Sequence, residues 1–181
     1  MLNLEAFKSV EVPQRAAITE NVSPRAEKAQ TVLAEVLRLM GTGIEVRLVQ
    51  DQGDEIHFDL LGTELERIIG KKGETLLSLQ FLINRMVGRE VESEQHVVLD
   101  AGGYRHRRRL ALADLAKRLA ERAVAERKVV RLSPMSAHDR RIFHITLQEI
   151  DGVTTRSQGE GLYRPLLIIP EGEKPAAEQA S

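Results

Sequence analysis

The sequence predicts an α+β chain made of two small domains that join near residue 102, and three observations carry that expectation. Apolar residues recur at helical spacing in some stretches and alternate strictly in others, so helices and strands are mixed along the chain. The run Ala101-Gly102-Gly103 interrupts this pattern between two self-sufficient sets of elements. Charge divides at the same place: residues 1–99 hold 11 Lys/Arg against 16 Asp/Glu, whereas residues 100–149 hold 12 against 6.

Residues 1–24 have no sustained periodicity and read as a flexible arm. It ends at Ser23-Pro24, with Ser23 placed as a helix cap and Pro24 in the first turn. Val32, Leu33, Val36, Leu37 and Met40 then follow helical spacing, and Gly41 and Gly43 stop the helix. Ile44, Val46 and Leu48 alternate with Glu45, Arg47 and Val49, residues 51–54 form a turn, and Ile56, Phe58 and Leu60 alternate again, a hairpin signature. Thr63 and Glu66 have capping-box spacing and predict a short helix ending at Gly70. A second helix is expected from Gly73 to about Val87, with Leu76, Leu79, Ile83 and Met86 on one face and Gly88 as its stop. Residues 96–100 read as a third strand.

Beyond the glycines, a long helix is expected over about residues 105–127 with a Leu112, Leu115, Leu119 stripe. Residues 129–132 form a short strand, Ser136 caps a helix reaching about Ile150, and residues 151–161 read as a polar, glycine-rich loop. Residues 166–169 form an apolar strand ended by Pro170, and residues 171–181 have the composition of a disordered tail. The expected layout is an arm (1–24), a first domain (25–101), a second domain (102–170) and the tail (171–181).

Composition removes several function classes. Hydrophobic residues make up 42%, enough for a core, but aromatics only 3% with no Trp, which argues against a surface built from rows of stacking rings. With no Cys, disulfides, thiolate metal sites and thiol nucleophiles are excluded. No run approaches the roughly 20 apolar residues of a membrane span, so no membrane insertion is expected. The start lacks a basic-then-apolar leader, and a cytoplasmic location is expected. No H-E-x-x-H, nucleophile elbow or Walker loop is present, so the chain reads as no enzyme, with no catalytic residue, metal or cofactor assigned.

The candidate site chemistry lies in Gly70-Lys71-Lys72-Gly73, between two predicted helices. A helix start offers backbone N–H groups and a positive dipole end. The glycines leave room for a nucleic-acid backbone, and Lys71 and Lys72 supply charge toward phosphate. The net charge of −1 argues against such a ligand, but a local field is set within about 8–10 Å. A tight helix corner with two solvated lysines is the alternative. In its helix-strand-strand-helix-turn-helix-strand setting, I-I-G-K-K-G-E-T-L resembles the type II K-homology (KH) domain, which implies a clamp on single-stranded RNA at Gly70, Lys71, Lys72 and Gly73.

Arg105, Arg107, Arg108 and Arg109 open the long helix, unfavourably for its dipole. Two readings stay open: a nucleic-acid contact, or pairing with acids such as Glu90, Glu92 and Glu94. Further on, Arg140, Arg141 and His144 share one edge of a helix beside the apolar Phe143, Leu147 and Ile150. The string V-R-L-S-P-M-S-A-H-D-R-R-I-F-H, followed by V-T-T-R-S-Q-G-E-G-L-Y-R-P, resembles the R-three-H domain, which binds single-stranded nucleic acid. Its name-giving pair falls on Arg140 and His144, and Thr154, Ser157, Gly159, Glu160 and Arg164 match its later stretch.

A KH domain joined to an R-three-H domain through Tyr104, Arg105, Arg107 and Arg108 resembles the bacterial Jag family, also called KhpB or SpoIIIJ-associated, over about residues 25–170. Residues 1–24 are too short for the small N-terminal domain that many members carry. The resemblance implies a post-transcriptional RNA chaperone or regulator linked to cell shape or division. Its implied partners are single-stranded RNA, single-stranded DNA as an option at the second domain, and a small single-KH-domain protein. The competing expectation is a protein-interaction adaptor in which only the second domain contacts nucleic acid.

Overall fold

The computed structural model describes residues 22–91 and 94–174, which form two compact units dividing between Arg105 and His106. Of the expected arm, only Val22, Ser23 and Pro24 fall within this range, and the tail lies outside it beyond Lys174.

In the first unit, α1 (Pro24–Leu39) starts where the sequence places it, with the Ala26 amide donating to Ser23 Oγ at 3.2 Å. Its buried stripe is Ala26, Ala29, Leu33 and Leu37; Met40 lies just past the helix and is exposed. The hairpin of β1 (Glu45–Gln52) and β2 (Glu55–Leu61) is antiparallel, with a bulge where Leu48 pairs with Phe58 and Gln50 with His57. A parallel strand, β3 (His96–Ala101), completes a β1-β2-β3 sheet. Parallel pairing sets Ile56 opposite Val97, Phe58 opposite Leu99 and Leu60 opposite Ala101, and all six are buried. Pairs in register share a face, so these rows form the floor against which α1 and α3 (Glu74–Val87) pack.

Two expectations for this unit change. The short helix α2 spans Leu65–Ile69 with Glu64 at its cap and no side-chain cap hydrogen bond, so Thr63 and Glu66 make no capping box. In α3 the buried residues are Leu76, Leu79, Ile83 and Val87, while Met86 sits outside.

β3 is an edge strand whose free backbone edge is covered by side chains. Asn84 donates to the Val97 carbonyl at 2.7 Å and accepts from the Val97 amide at 2.8 Å. Gln80 accepts from the Leu99 amide at 3.0 Å, and Arg105 donates to the Leu99 carbonyl at 2.7 Å. These groups do the work of a missing fourth strand and blunt an edge that would otherwise pair with another chain.

α4 (Tyr104–Glu126) leads into the second unit, where it packs with α5 (Ala137–Gln148) and a sheet of order β4-β6-β5. The strands are β4 (Val130–Arg131), β5 (Val153–Ser157) and β6 (Leu166–Pro170), all antiparallel. β5 falls inside the stretch expected to be loop. Its residues are mostly polar and exposed, and its identity comes from pairing with the wholly buried β6. The α4 core stripe is Leu112, Ala116, Ala120 and Ala123, with Leu115 and Leu119 only partly buried. Small residues there let Phe143, Leu147, Leu166 and Ile168 fill the shared core. Ser136 caps α5 by accepting from the Asp139 amide at 3.2 Å.

Candidate nucleic-acid interface

The Gly70-Lys71-Lys72-Gly73 segment forms a single 3-10 turn between α2 and α3, with the Gly73 amide 3.4 Å from the Gly70 carbonyl. Gly70 has φ 67° and ψ −171°, and Gly73 has φ 84°. Lys72, at φ 56°, takes the left-handed region that non-glycine residues rarely enter. A β-carbon on Gly70 would fall onto Thr75 Oγ1 and lie 2.7 Å from Thr75 Cβ, and one on Gly73 would lie 2.7 Å from Tyr104 Cε1. Both glycines are therefore required by the unit's own packing, before any ligand is considered. Lys71 and Lys72 are exposed. Glu74 lies in the first turn of α3 and offsets the positive helix end. Attraction for an anion here rests on the two lysines.

The arginines at the start of α4 have separate surroundings. Arg105 is half-buried in the first unit, bound to the Leu99 carbonyl and to Gln80 Oε1 at 2.6 Å. Burial pushes its guanidinium below the usual value, with nearby Asp100 opposing that shift. Arg108 forms a 2.7 Å ion pair with the buried Asp139. Arg109 is exposed and lies 3.3 Å from His106 Nδ1. Arg107 is half-buried. As for the suggested acidic partners, Glu90 pairs with Lys28, and Glu92 lies outside the described residues.

In the second unit, the shared edge of Arg140, Arg141 and His144 resolves into different environments. Arg141 and His144 are exposed, but only 7% of Arg140 is exposed, and its Nη1 donates to the Met135 carbonyl at 3.4 Å. Burial first, and the Arg164 guanidinium second, push Arg140 below its usual value. Such a group stays protonated at any ordinary pH, so two cations are held together. Arg164 is placed by the bridge to Met135, and its Nη1 donates to the Gly159 carbonyl at 3.3 Å. Arg164 Nε is buried without a hydrogen-bond partner, and among the described residues neither Arg140 nor Arg164 has a carboxylate partner. His144 Nδ1 lies 2.6 Å from Thr155 Oγ1, which orients the ring and leaves Nε2 as the other ring nitrogen. Of the matched later stretch, Thr154, Ser157, Gly159 and Glu160 are exposed.

Sequence reasoning did not single out Thr155, Thr75 or Met135. Thr155 lies in the strand read as loop. The other two act through position, Thr75 behind a glycine and Met135 through its carbonyl. Among the described residues no cluster of three or more His, Asp or Glu is arranged for a metal, and no helix is long and apolar enough to cross a membrane.

These features define the class: an α+β chain of two units, the second carrying a paired-arginine and histidine site. Residues 110–170 match the family model for the R-three-H domain. "RNA-binding protein KhpB" of Clostridium symbiosum is 34% identical over 143 residues, covering 78% of this chain and 64% of that protein. The protein of the same name from Bacillus subtilis is 29% identical over 158 residues, 86% of this chain and 75% of the relative. That from Lactiplantibacillus plantarum is 33% identical over 129 residues, 70% of this chain and 39% of the relative. The match thus spans under two thirds of the Clostridium protein's length. The chain is thus similar to proteins named KhpB, of the Jag family, and its second unit matches the R-three-H domain.

Proposed function

We propose that the chain binds single-stranded RNA without catalysing a reaction, using the Gly70–Gly73 turn of a KH domain (25–101) and the Arg140, Arg141, His144 and Arg164 face of an R-three-H domain (102–170). The observation that carries this reading is the pair Arg140 and Arg164. Two neighbouring guanidiniums, that of buried Arg140 and that of Arg164 with its unpartnered Nε, neither with a carboxylate partner among the described residues, form a site whose missing component is an anion. A phosphate fits that requirement, and Lys71 and Lys72 offer a second phosphate contact. The name shared by the relatives, "RNA-binding protein", supports RNA as the polymer, with single-stranded DNA as the competing ligand at the second domain. A cytoplasmic location, a small single-KH-domain partner and a role as an RNA chaperone or regulator linked to cell shape or division belong to the same reading.

Lys71→Asp with Lys72→Asp tests the first site. Affinity for single-stranded RNA should fall, and the slope of log affinity against log salt should drop by roughly 1–2. The melting curve should stay nearly unchanged because both side chains are exposed. Arg140→Ala lowers affinity at the second site, and Arg164→Ala checks it without emptying a buried position.

One observation favours the adaptor reading. Phe81, Leu82 and Met86 are exposed on one side of α3, an apolar face suited to a protein partner. Unchanged RNA affinity in the double lysine variant would favour it.

A further inference from the structure

Phe143 and Tyr163 are the aromatic residues of the second unit, and they have opposite fates. Phe143 is fully buried, while Tyr163 is 47% exposed and its neighbour Leu162 is 84% exposed. Both exposed residues sit at the tip of the β5–β6 hairpin, which is held at its base rather than loose. The Gln158 amide donates to the Pro165 carbonyl at 3.0 Å, and Arg131 donates to Gln158 Oε1 at 2.8 Å. Arg164 binds the Gly159 carbonyl and bridges to Met135. Gly159 and Gly161 take φ values of 81° and 89°, which let the six residues between Gln158 and Pro165 turn back so tightly.

The hairpin thus fixes an exposed ring one residue from Arg164, the guanidinium that neighbours buried Arg140. A nucleotide whose phosphate occupies the cationic pair has its sugar and base left to place. The exposed ring lies one residue along, and the adjacent leucine offers further apolar surface. Arg131 at the hairpin base and Arg164, next to Tyr163 in the sequence, set two cations against the one carboxylate of this loop, Glu160. Base–aromatic stacking suits such a position because every base presents a π-face.

We infer that Tyr163, flanked by Leu162, is a base-stacking contact of the second domain, taking one unpaired base of a strand whose phosphate lies on Arg140 and Arg164. This rests on the nucleic-acid reading above, and it adds a non-ionic contact that neither the R-three-H match nor the relatives' names assign. It also predicts that the tip tolerates any base while requiring that base to be unpaired, since a base inside a duplex has no free face.

The chain has two Tyr and no Trp, so in a Tyr104→Phe background tyrosine emission reports Tyr163 alone. Single-stranded RNA should quench that emission, whereas heparin, a polyanion without bases, should not. Tyr163→Ala should weaken RNA binding by roughly 5- to 100-fold with the salt slope unchanged, and Tyr163→Phe should retain the affinity. Arg164→Ala should instead lower the slope by about 1. Thermal melting of Tyr163→Ala should match the parent, because a half-exposed loop side chain holds little of the core. Normal affinity for Tyr163→Ala together with no quenching overturns the stacking contact. If Arg164→Ala still weakens binding, the phosphate site stands without it; if neither variant changes affinity, the nucleic-acid reading of this unit fails as well. Equal quenching by heparin would also overturn the assignment, since it would report a loop rearrangement rather than a base.

Discussion

Gly73→Ala should destabilise the first unit by about 2–5 kcal/mol, and the reason is internal to the fold. At φ 84° a side chain costs about 1–2 kcal/mol relative to glycine. The added β-carbon would also lie 2.7 Å from Tyr104 Cε1, 3.0 Å from its hydroxyl and 3.3 Å from Cζ. Carbon contacts settle near 3.5–4.0 Å, so the ring has to move. Tyr104 packs against the core that holds Phe58 and Leu99, and forced repacking of that kind costs roughly 1–3 kcal/mol. Because the chain has two units, a single melting temperature mixes both. Hydrogen exchange of the buried Phe58 and Leu99 amides isolates the first one. In a Tyr104→Ala background the steric part disappears and only the backbone part of about 1–2 kcal/mol should remain. An equal penalty in both backgrounds, or no penalty in either, refutes the packing argument. Normal protection combined with lost RNA affinity would mean that the glycine serves ligand approach instead.

Asn84→Ala removes both hydrogen bonds that cover Val97 on the β3 edge and should cost about 2–3 kcal/mol in the same exchange measurement; a cost near zero would mean that water replaces them freely. Asp59 is half-buried on β2, and burial, with Asp100 adjacent in register, raises its pKa despite the Gly102 amide it accepts from at 3.0 Å. A folded value above the unfolded one means that ionised Asp59 weakens the fold at neutral pH, and that this cost fades as pH falls through the folded value towards the unfolded one. Asp59→Asn should therefore be the more stable protein near pH 7, with an advantage that shrinks on acidification; urea titrations at several pH values check this, and a pH-independent difference contradicts it.

How much of this was legible beforehand depended on whether the cause was local. Ser23 and Ser136 cap helices as their positions imply, because a hydroxyl two or three residues from a free amide is a local matter. The β1–β2 hairpin shows in strict alternation. β5 does not, since Thr154, Thr155, Arg156 and Ser157 carry no apolar signal and become a strand only by pairing with β6. Spacing suggested a capping box at Thr63, but the chain turns again before α2 begins at Leu65. For the candidate site, the motif residues were legible while their environments were not. Helical geometry put Arg140 and His144 on one edge, yet only the packing of α5 against Met135 and the sheet decides that one is buried and the other exposed.

Counting charges misleads for the same reason. The segment 100–149 has a net charge of +6, which suggests a continuous basic strip. Arg105 is engaged in sealing the β3 edge, and Arg108 is neutralised by Asp139. A guanidinium held this way offers little to phosphate, because moving it would reopen a backbone edge or strand a buried carboxylate. The charges assigned to phosphate are fewer and better defined: Lys71 and Lys72 on a strained turn, Arg140 with Arg164 lacking a counter-ion among the described residues, and the exposed Arg141. Salt dependence is therefore the sharpest discriminator available. A chain that used the whole strip would release counterions in proportion to all its arginines, whereas one that used only the offered groups should show a slope of roughly 3–4 for single-stranded RNA.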